Sequence, residues 1–242
     1  WMIVDQRQRF LTQRTHPALA RVRTELTPEQ LTLSVPGHGS IGLPREDAAA
    51  AQAPIMIVEI WGDRVPAHSA GPEAAAWLSD LLGTPATLVR PSPAMHREPD
   101  ATYRGQIAAP VNFPDAYPLL VCSTASLADL QSRMPATADL PMNRFRPNIV
   151  IEGCGAFEED RIHELSEGDI RLRLVKACTR CATTTVDQHS GQPGADPLPV
   201  LRGYRFDRKL KGVTFGQNAV IVSGVNRTLK VGQTLHVVTA AP

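Results

Sequence analysis

The chain has 242 residues, 25 Lys+Arg against 24 Asp+Glu, a hydrophobic fraction of 43% and an aromatic fraction of 5%. A net charge of +1 excludes recognition of nucleic acid or anionic membrane through bulk charge, and so few aromatics exclude a stacking platform for single strands. The apolar content is enough to offset the entropy of ordering, so the chain folds, as one large domain or two small ones.

Trp1–Val4 reads as the middle of a strand; without a basic segment leading an apolar run it is not a signal peptide, and residues are expected upstream of Trp1. Phe10–Thr12 is a second strand. Alternation in Ala20–Leu26 and Leu31–Val35, around Thr27-Pro28-Glu29-Gln30, predicts a hairpin. Pro36-Gly37-His38-Gly39 is a loop, Ala48–Ala53 carries no pattern, and the β-branched Ile55–Trp61 is a strand followed by a connection over Gly62–Gly71. Pro72–Leu82 is a short helix with Pro at its start, Trp77, Leu78, Leu81 and Leu82 inward, and Gly83 as its stop.

The Pro- and Arg-rich stretch 91–115 is the best boundary, giving domains 1–94 and 95–242. Pro118–Cys122 is a buried strand. Thr124 or Ser126 caps a helix through Arg133, with Leu127 and Leu130 inward. Strands follow at Ile149–Ile151, Ile170–Val175, Ala219–Val222, Leu229–Val231 and Leu235–Val238, the last two around a Gly232-Gln233 turn. The fold class is mostly β with short helices (α+β), barrel-like. No run of 18 apolar residues provides a spanning helix, and a cytoplasmic location is expected.

The most informative stretch is Lys176-Ala177-Cys178-Thr179-Arg180-Cys181-Ala182-Thr183-Thr184-Thr185-Val186-Asp187. A thiolate is the reactive and ligating form of cysteine, and a neighbouring cation favours it, although sequence adjacency of Arg180 and Cys181 does not guarantee contact. Three readings stand. The C-x-x-C pair suits half a zinc site, but Cys122 and Cys154 are single and no His pair follows. A thioredoxin-like dithiol needs a helix where Thr-Thr-Thr-Val stands. The third is a pair of buried cysteines at a strand end.

"CTRCATTTVD", "MNRFRPNIVIEG" with "FEEDRI", and "FGQNAVIV" with "LKVGQTL" resemble the MOSC family, the domain named for the C-terminus of molybdenum cofactor sulfurase. The upstream "RFLTQR", "EIWGDRVPAHSAGPEAAAWLSDLLG" and "YPLLVCSTASLADLQSR" resemble the N-terminal β-rich region of its amidoxime-reducing and hydroxylaminopurine-detoxifying branch, so the resemblance covers nearly the whole chain. It implies a barrel-like MOSC core with an N-terminal β-rich subdomain. It further implies a molybdenum–molybdopterin cofactor and reduction of N-hydroxylated compounds such as hydroxylaminopurines, amidoximes and hydroxylamines. The alternative is a non-catalytic carrier of the cofactor or of sulfane sulfur on Cys181. Pyridoxal phosphate binding, an attribute of the wider family, is not expected.

By the same resemblance, Cys181 is the metal ligand and catalytic thiolate, with Cys178 structural or near it. A soft thiolate suits a metal whose pterin supplies two more sulfurs. Arg146 and Asn148 lie against the cofactor; an Arg fork and an amide suit phosphate and pterin edges, while a surface ion pair is the plainer role for Arg146. Thr179 and Arg180 offer donors beside Cys181. Asp115 matches an acidic position near the cofactor and is the candidate proton donor, or else a turn residue. Asn218 matches a position that closes the pocket. Cys122 and Cys154 read as small buried hydrophobes, Glu158-Glu159-Asp160 as a solvated face that could also cap a helix or buttress Arg146, and His189-Ser190-Gly191 as a turn.

Relatives carry a segment ahead of the position of Trp1 with a Lys-Ser pair and an Arg for the cofactor phosphate; none of it is in this sequence, which bears on cofactor retention. No C-x₄-C-x₂-C run of a [2Fe–2S] ferredoxin domain is present, so electrons are expected from a separate protein, ferredoxin or cytochrome b5 with its flavoprotein. Arg202, Arg205, Arg208, Lys209 and Lys211 form a basic run, either a solvated surface or a docking face for an acidic electron-transfer partner.

Overall fold

In the computed structural model, residues 1–45 and 54–239 are described, and the Ala48–Ala53 stretch lies outside them. The chain divides into two units: Trp1–Arg97 with Val186–Pro193, and Glu98–Thr185 with Gly194–Pro242.

In the first unit, β1 (Met2–Val4), β5 (Met56–Ile60), β6 (Asp63–Ser69) and β7 (Thr87–Pro91) form a sheet of order β1-β7-β6-β5. The segment Gly62–Gly71, expected to be a connection, is therefore mostly strand. Its Val65 and Ala67 are buried, and the Pro66 in its middle hid the pattern. The Phe10–Thr12 strand is also corrected. Asp5 Oδ1 accepts from the Arg7 and Arg9 amides at 2.8 and 2.9 Å, Gln8 takes a positive φ, and Phe10 keeps only a single bridge to Val4.

The hairpin forms with a shorter first arm than expected, because Pro17–Arg21 is a 3-10 turn: β2 (Arg23–Leu26) pairs with β3 (Gln30–Val35), and β4 (Gly39–Pro44) adds a third strand. Helix α1 (Pro72–Leu82) ends on Gly83 in the left-handed region, and its Ala74 and Leu78 pack on Leu31, Leu33, Leu43 and Leu88. Only Leu78 of the predicted stripe is fully buried; Trp77 and Leu82 are half-buried at its margin.

The second unit is a curled, half-barrel sheet. It comprises β8 (Leu119–Ser123), β9 (Ile149–Ile151), β10 (Ile162–Glu167), β11 (Ile170–Thr179), β12 (Phe206–Asp207), β13 (Gly212–Ser223) and β14 (His236–Thr239). Their order is β14-β10-β11-β13-β8-β9, with β12 alongside β13. The long β11–β13 ladder shifts register at three places, and such irregularities bend strands and let a sheet curl. One face packs Leu120, Cys122 and Phe215 against α3 (Thr124–Arg133) and α4 (Leu198–Tyr204); the other packs Val121, Leu165, Leu172 and Ala219. A one-turn helix, α2 (Ala101–Arg104), lies in the 91–115 stretch.

Two further expectations change. Helix α3 is capped by Ser123, the last residue of β8, whose hydroxyl accepts from the Ser126 amide at 3.0 Å; Thr124 is already helical. Leu229–Val231 is not a strand. The Gln233 amide bonds back to the Lys230 carbonyl at 3.2 Å, and Val231 projects into solvent, so the apolar run closes a turn. Among the described residues no helix is long and apolar enough to cross a membrane.

Candidate active site

Strand β11 carries Cys178 near its end and delivers Cys181 just beyond it. The strand end is pinned to β13: Thr179 pairs with Thr214, and the Arg180 amide donates to the Val213 carbonyl at 2.8 Å. A 3-10 turn, Ala182–Thr185, then starts on Cys181, whose carbonyl accepts from the Thr184 amide (3.1 Å) and hydroxyl (3.0 Å). Thr184 is 1% exposed. The backbone of Cys181 is thus fixed while its side chain is exposed, with Sγ 3.4 Å from Thr183 Oγ1.

The cation between the two cysteines serves Cys178. Arg180 Nη1 donates to Cys178 Sγ at 2.9 Å and Nη2 to the Phe145 carbonyl at 2.8 Å, with the guanidinium 5.5 Å from the Phe145 ring centroid. Arg180 therefore has protein partners where free donors were expected.

A second arginine works in the opposite direction. Arg144, 2% exposed, donates from Nη1 to the Thr185 carbonyl at 3.0 Å. Gly194 lies so close to this guanidinium that a Cβ there would collide with it. Together Arg144 and Arg180 strap the Met142–Arg146 turn onto the Arg180–Thr185 turn. Sequence reasoning passed over Arg144, because a buried arginine leaves no local pattern.

This strapping sets Arg146 on the segment bound to the cysteine loop. Arg146 takes φ +55° immediately before Pro147, a costly conformation for a side chain with a Cβ. It is exposed, and among the described residues its guanidinium has no hydrogen-bond or ion-pair partner, which removes the surface ion pair as its role. Asn148, two residues on, is held at both ends: its amide donates to the Leu120 carbonyl and its Oδ1 accepts from the Leu120 amide, both at 2.9 Å. Its Nδ2 has no partner among the described residues. Asn218 stands half-buried on β13 in register with Leu120 and Lys176.

Cys181, Arg146 and Asn148 are thus carried by segments that hydrogen bonds tie together, with Asn218 one strand over. Thr179 is exposed and packs against Gly212. Asp115 is exposed in the bend leading into β8.

The remaining candidates separate by burial. Cys122 is fully buried, and desolvation pushes its thiol up to about 12. Cys154 is not the buried hydrophobe expected: it is half-exposed, and partial burial and then the Glu159 charge raise its pKa. The Glu158–Asp160 run is a solvated face only in part: Glu158 and Asp160 are exposed, but Glu159 is not. Glu159 is fully buried and accepts from the hydroxyls of Ser126 (2.7 Å) and Ser123 (3.0 Å). Asp160 accepts from Gln217 Nε2 at 2.6 Å and pairs with Arg205 at 2.7 Å. It lines an open groove of about 490 Å³ with Lys176, Ala177, Arg205 and Phe206, whose lining includes neither Cys181 nor Arg146. Among the described residues no three His, Cys, Asp or Glu side chains gather as a metal site, so the zinc reading lacks a ligand set.

Comparison with known families places the chain as a whole. The model of the MOSC domain matches residues 108–236, and that of the MOSC N-terminal beta barrel domain matches residues 1–85. The chain belongs to the MOSC family. This MOSC chain is 35% identical over 212 residues to mitochondrial amidoxime-reducing component 1 of Mus musculus, covering 85% of the chain and 61% of that relative. It is 33% identical over 250 residues to its Homo sapiens counterpart, covering 98% and 71%. Molybdenum cofactor sulfurase of Bos taurus is 27% identical over 227 residues, covering 87% of the chain and 26% of that protein. The MOSC chain thus spans about three fifths of the first relative's length.

Proposed function

We propose that this MOSC protein reduces N-hydroxylated compounds, with hydroxylaminopurines, amidoximes and hydroxylamines as the substrate class, at a molybdenum–molybdopterin cofactor held by Cys181. The observation that carries the reading is the exposed thiol of Cys181 on a rigid turn, strapped to the segment that bears the unpartnered guanidinium of Arg146.

The donor set suits that group. Among the described residues no three ligating side chains gather to hold a bare cation, whereas one soft thiolate suffices to complete a metal that brings its own dithiolene sulfurs. An organic anion needs a cation and an amide donor. Among the described residues Arg146 has no partner to give up, and Asn148 has Nδ2 to spare. The strained backbone at Arg146 is what a ligand clamp produces when its direction matters more than its own comfort. Similarity to proteins named as amidoxime-reducing components supports the same class.

When bound, the cofactor supplies the two-electron cleavage of the N–O bond. The overall change balances as R–NHOH + 2 e⁻ + 2 H⁺ → R–NH₂ + H₂O. The chain's residues do the rest. Cys181 gives up its thiol proton and offers a fixed sulfur. Arg146 and Asn148 orient the anion, and Asn218 with Thr179 borders the site. Asp115 is the carboxyl assigned to proton delivery. The electrons come from a separate one-electron carrier.

Protein from a cofactor-competent host should contain molybdenum near stoichiometry, with little zinc, and should convert a hydroxylaminopurine to the aminopurine when given a chemical reductant. Stoichiometric zinc without molybdenum would overturn the reading. Molybdenum or cyanide-labile sulfur without turnover would favour the carrier role, which similarity to molybdenum cofactor sulfurase and the exposure of Cys181 support.

A further inference from the structure

The segment Arg202–Lys211 holds five basic side chains and one acidic one, in a chain whose net charge is only +1. The structure decides which of these charges are spent. Arg205 is bound to Asp160 and lies over the Phe157 ring at 4.3 Å, so it belongs to the fold. Asp207 is occupied too: its Oδ1 accepts from the amides of Lys209 and Leu210, both at 2.8 Å, which locks the turn joining β12 to β13. What remains is Arg202, Arg208, Lys209 and Lys211, all exposed, none with an ion-pair partner among the described residues. Among them Phe206 is 45% exposed, with the Arg202 guanidinium 5.9 Å from its ring centroid. The result is a small, rigid, cationic knob with an aromatic centre.

Its position gives the knob a use. β12 pairs with Gly212 and Val213 of β13, and the Val213 carbonyl accepts the Arg180 amide at 2.8 Å. The residue after Arg180 is Cys181. A protein seated on the knob is therefore one hydrogen-bonded backbone step from the loop that carries the candidate metal ligand.

We infer that the Arg202–Lys211 turn is the docking surface for an acidic one-electron carrier protein, which delivers its electrons toward Cys181. The inference rests on the reductase reading above and assigns that site its partner surface. Charge complementarity selects the occupant: a concentrated patch on a nearly neutral chain steers one anionic partner to one place, as short-lived electron-transfer encounters of small area require. A nucleic acid or an anionic membrane would want a basic surface spread well beyond ten residues.

The test reverses the patch, with Arg208→Glu, Lys209→Glu and Lys211→Glu combined, in the cofactor-loaded full chain. Arg64→Glu with Lys230→Glu is the control for loss of charge elsewhere. The probes are the soluble haem domain of cytochrome b5 and a plant-type ferredoxin. At low ionic strength the wild type and control should bind one of them, and the reversed variant should bind at least about tenfold more weakly, with the salt dependence of binding flattened. Turnover of a hydroxylaminopurine with a small chemical reductant should stay within about twofold in all three, while the KM for the carrier rises in the reversed variant alone. Unchanged carrier binding and KM after reversal would overturn the docking surface while leaving the reductase reading intact, and so would failure of both probes to bind the wild type. Loss of turnover with the chemical reductant in wild type would strike the reductase reading, while carrier binding would still judge the surface. Tight binding of an RNA oligomer or phosphatidylserine vesicle in place of either carrier would overturn the partner class. A single Lys209→Gln variant, with native melting, guards against misfolding of the triple reversal and should show a smaller shift in the same direction.

Discussion

Arg180 Nη1 lies 2.9 Å from Cys178 Sγ, so the cation embedded in the C-x-R-C run is committed to the first cysteine and to the Phe145 carbonyl. The second cysteine is left with a hydroxyl neighbour and solvent. One thiol is built into the wall and the other is presented.

That division predicts different outcomes for two variants. Cys181→Ala should abolish molybdenum retention, because no neighbouring side chain can replace the sulfur. Cys178→Ala should keep most of the metal and lose about 1–2 kcal/mol of stability with its charge-assisted contact. Metal analysis alongside thermal melting checks both, and equal metal loss in the two would revive the dithiol reading.

The Arg144 strap is open to a stability test. Arg144→Met removes a charge-assisted bond to the Thr185 carbonyl, which keeps the Gly194 amide at 2.7 Å, for a loss of about 1–3 kcal/mol. Gly194→Ala drives a methyl into the same guanidinium and should cost about 1–3 kcal/mol with Arg144 still present. The two effects should be non-additive, because the methyl no longer meets a guanidinium once Arg144 is gone. Urea unfolding of the double-mutant cycle measures this; simple additivity would contradict the strap.

Arg146→Gly should separate fold from function. Glycine relieves the left-handed strain and should leave stability unchanged or raise it by about 0.5–1 kcal/mol. Cofactor retention should nevertheless fall, since the unpartnered guanidinium goes with it. Melting temperature and molybdenum content are the paired readouts, and a destabilised variant with full metal would refute the assignment.

The buried thiol of Cys122 makes a prediction in pH. Its folded pKa is pushed up to about 12 by burial, while an unfolded thiol ionises near about 8.5. Between those values the native state holds a proton that the unfolded chain has released. Its contribution is intact below about pH 8.5 and is lost as pH rises, at up to about 1.4 kcal/mol per pH unit. Tyr117 and Tyr204, also pushed up to about 12 by burial, add to the same fall from about pH 10. Cys122→Ala should flatten the fall between about pH 8.5 and 10, measured by urea unfolding across that range. In the native wild type a thiol reagent should modify Cys181 quickly and Cys122 only on unfolding.

The residues alone determined those parts of the protein that rest on local chemistry. Pro72 and Gly83 bracket α1 as the sequence shows, because a fixed φ at one end and a left-handed residue at the other act within a turn. Strands β3 and β9 follow from alternation and β-branching for the same reason. The MOSC motifs were legible because the chemistry of a site is written in residue types. Tertiary structure decided everything that depends on which distant group arrives first. It placed Arg180 on the Phe145 carbonyl, buried Arg144 against Thr185, turned Glu159 inward onto Ser123 and Ser126, and made Asp63–Ser69 a strand despite Pro66. Contacts across tens of residues are chosen by the packing of the whole unit, and no short window of sequence contains both partners.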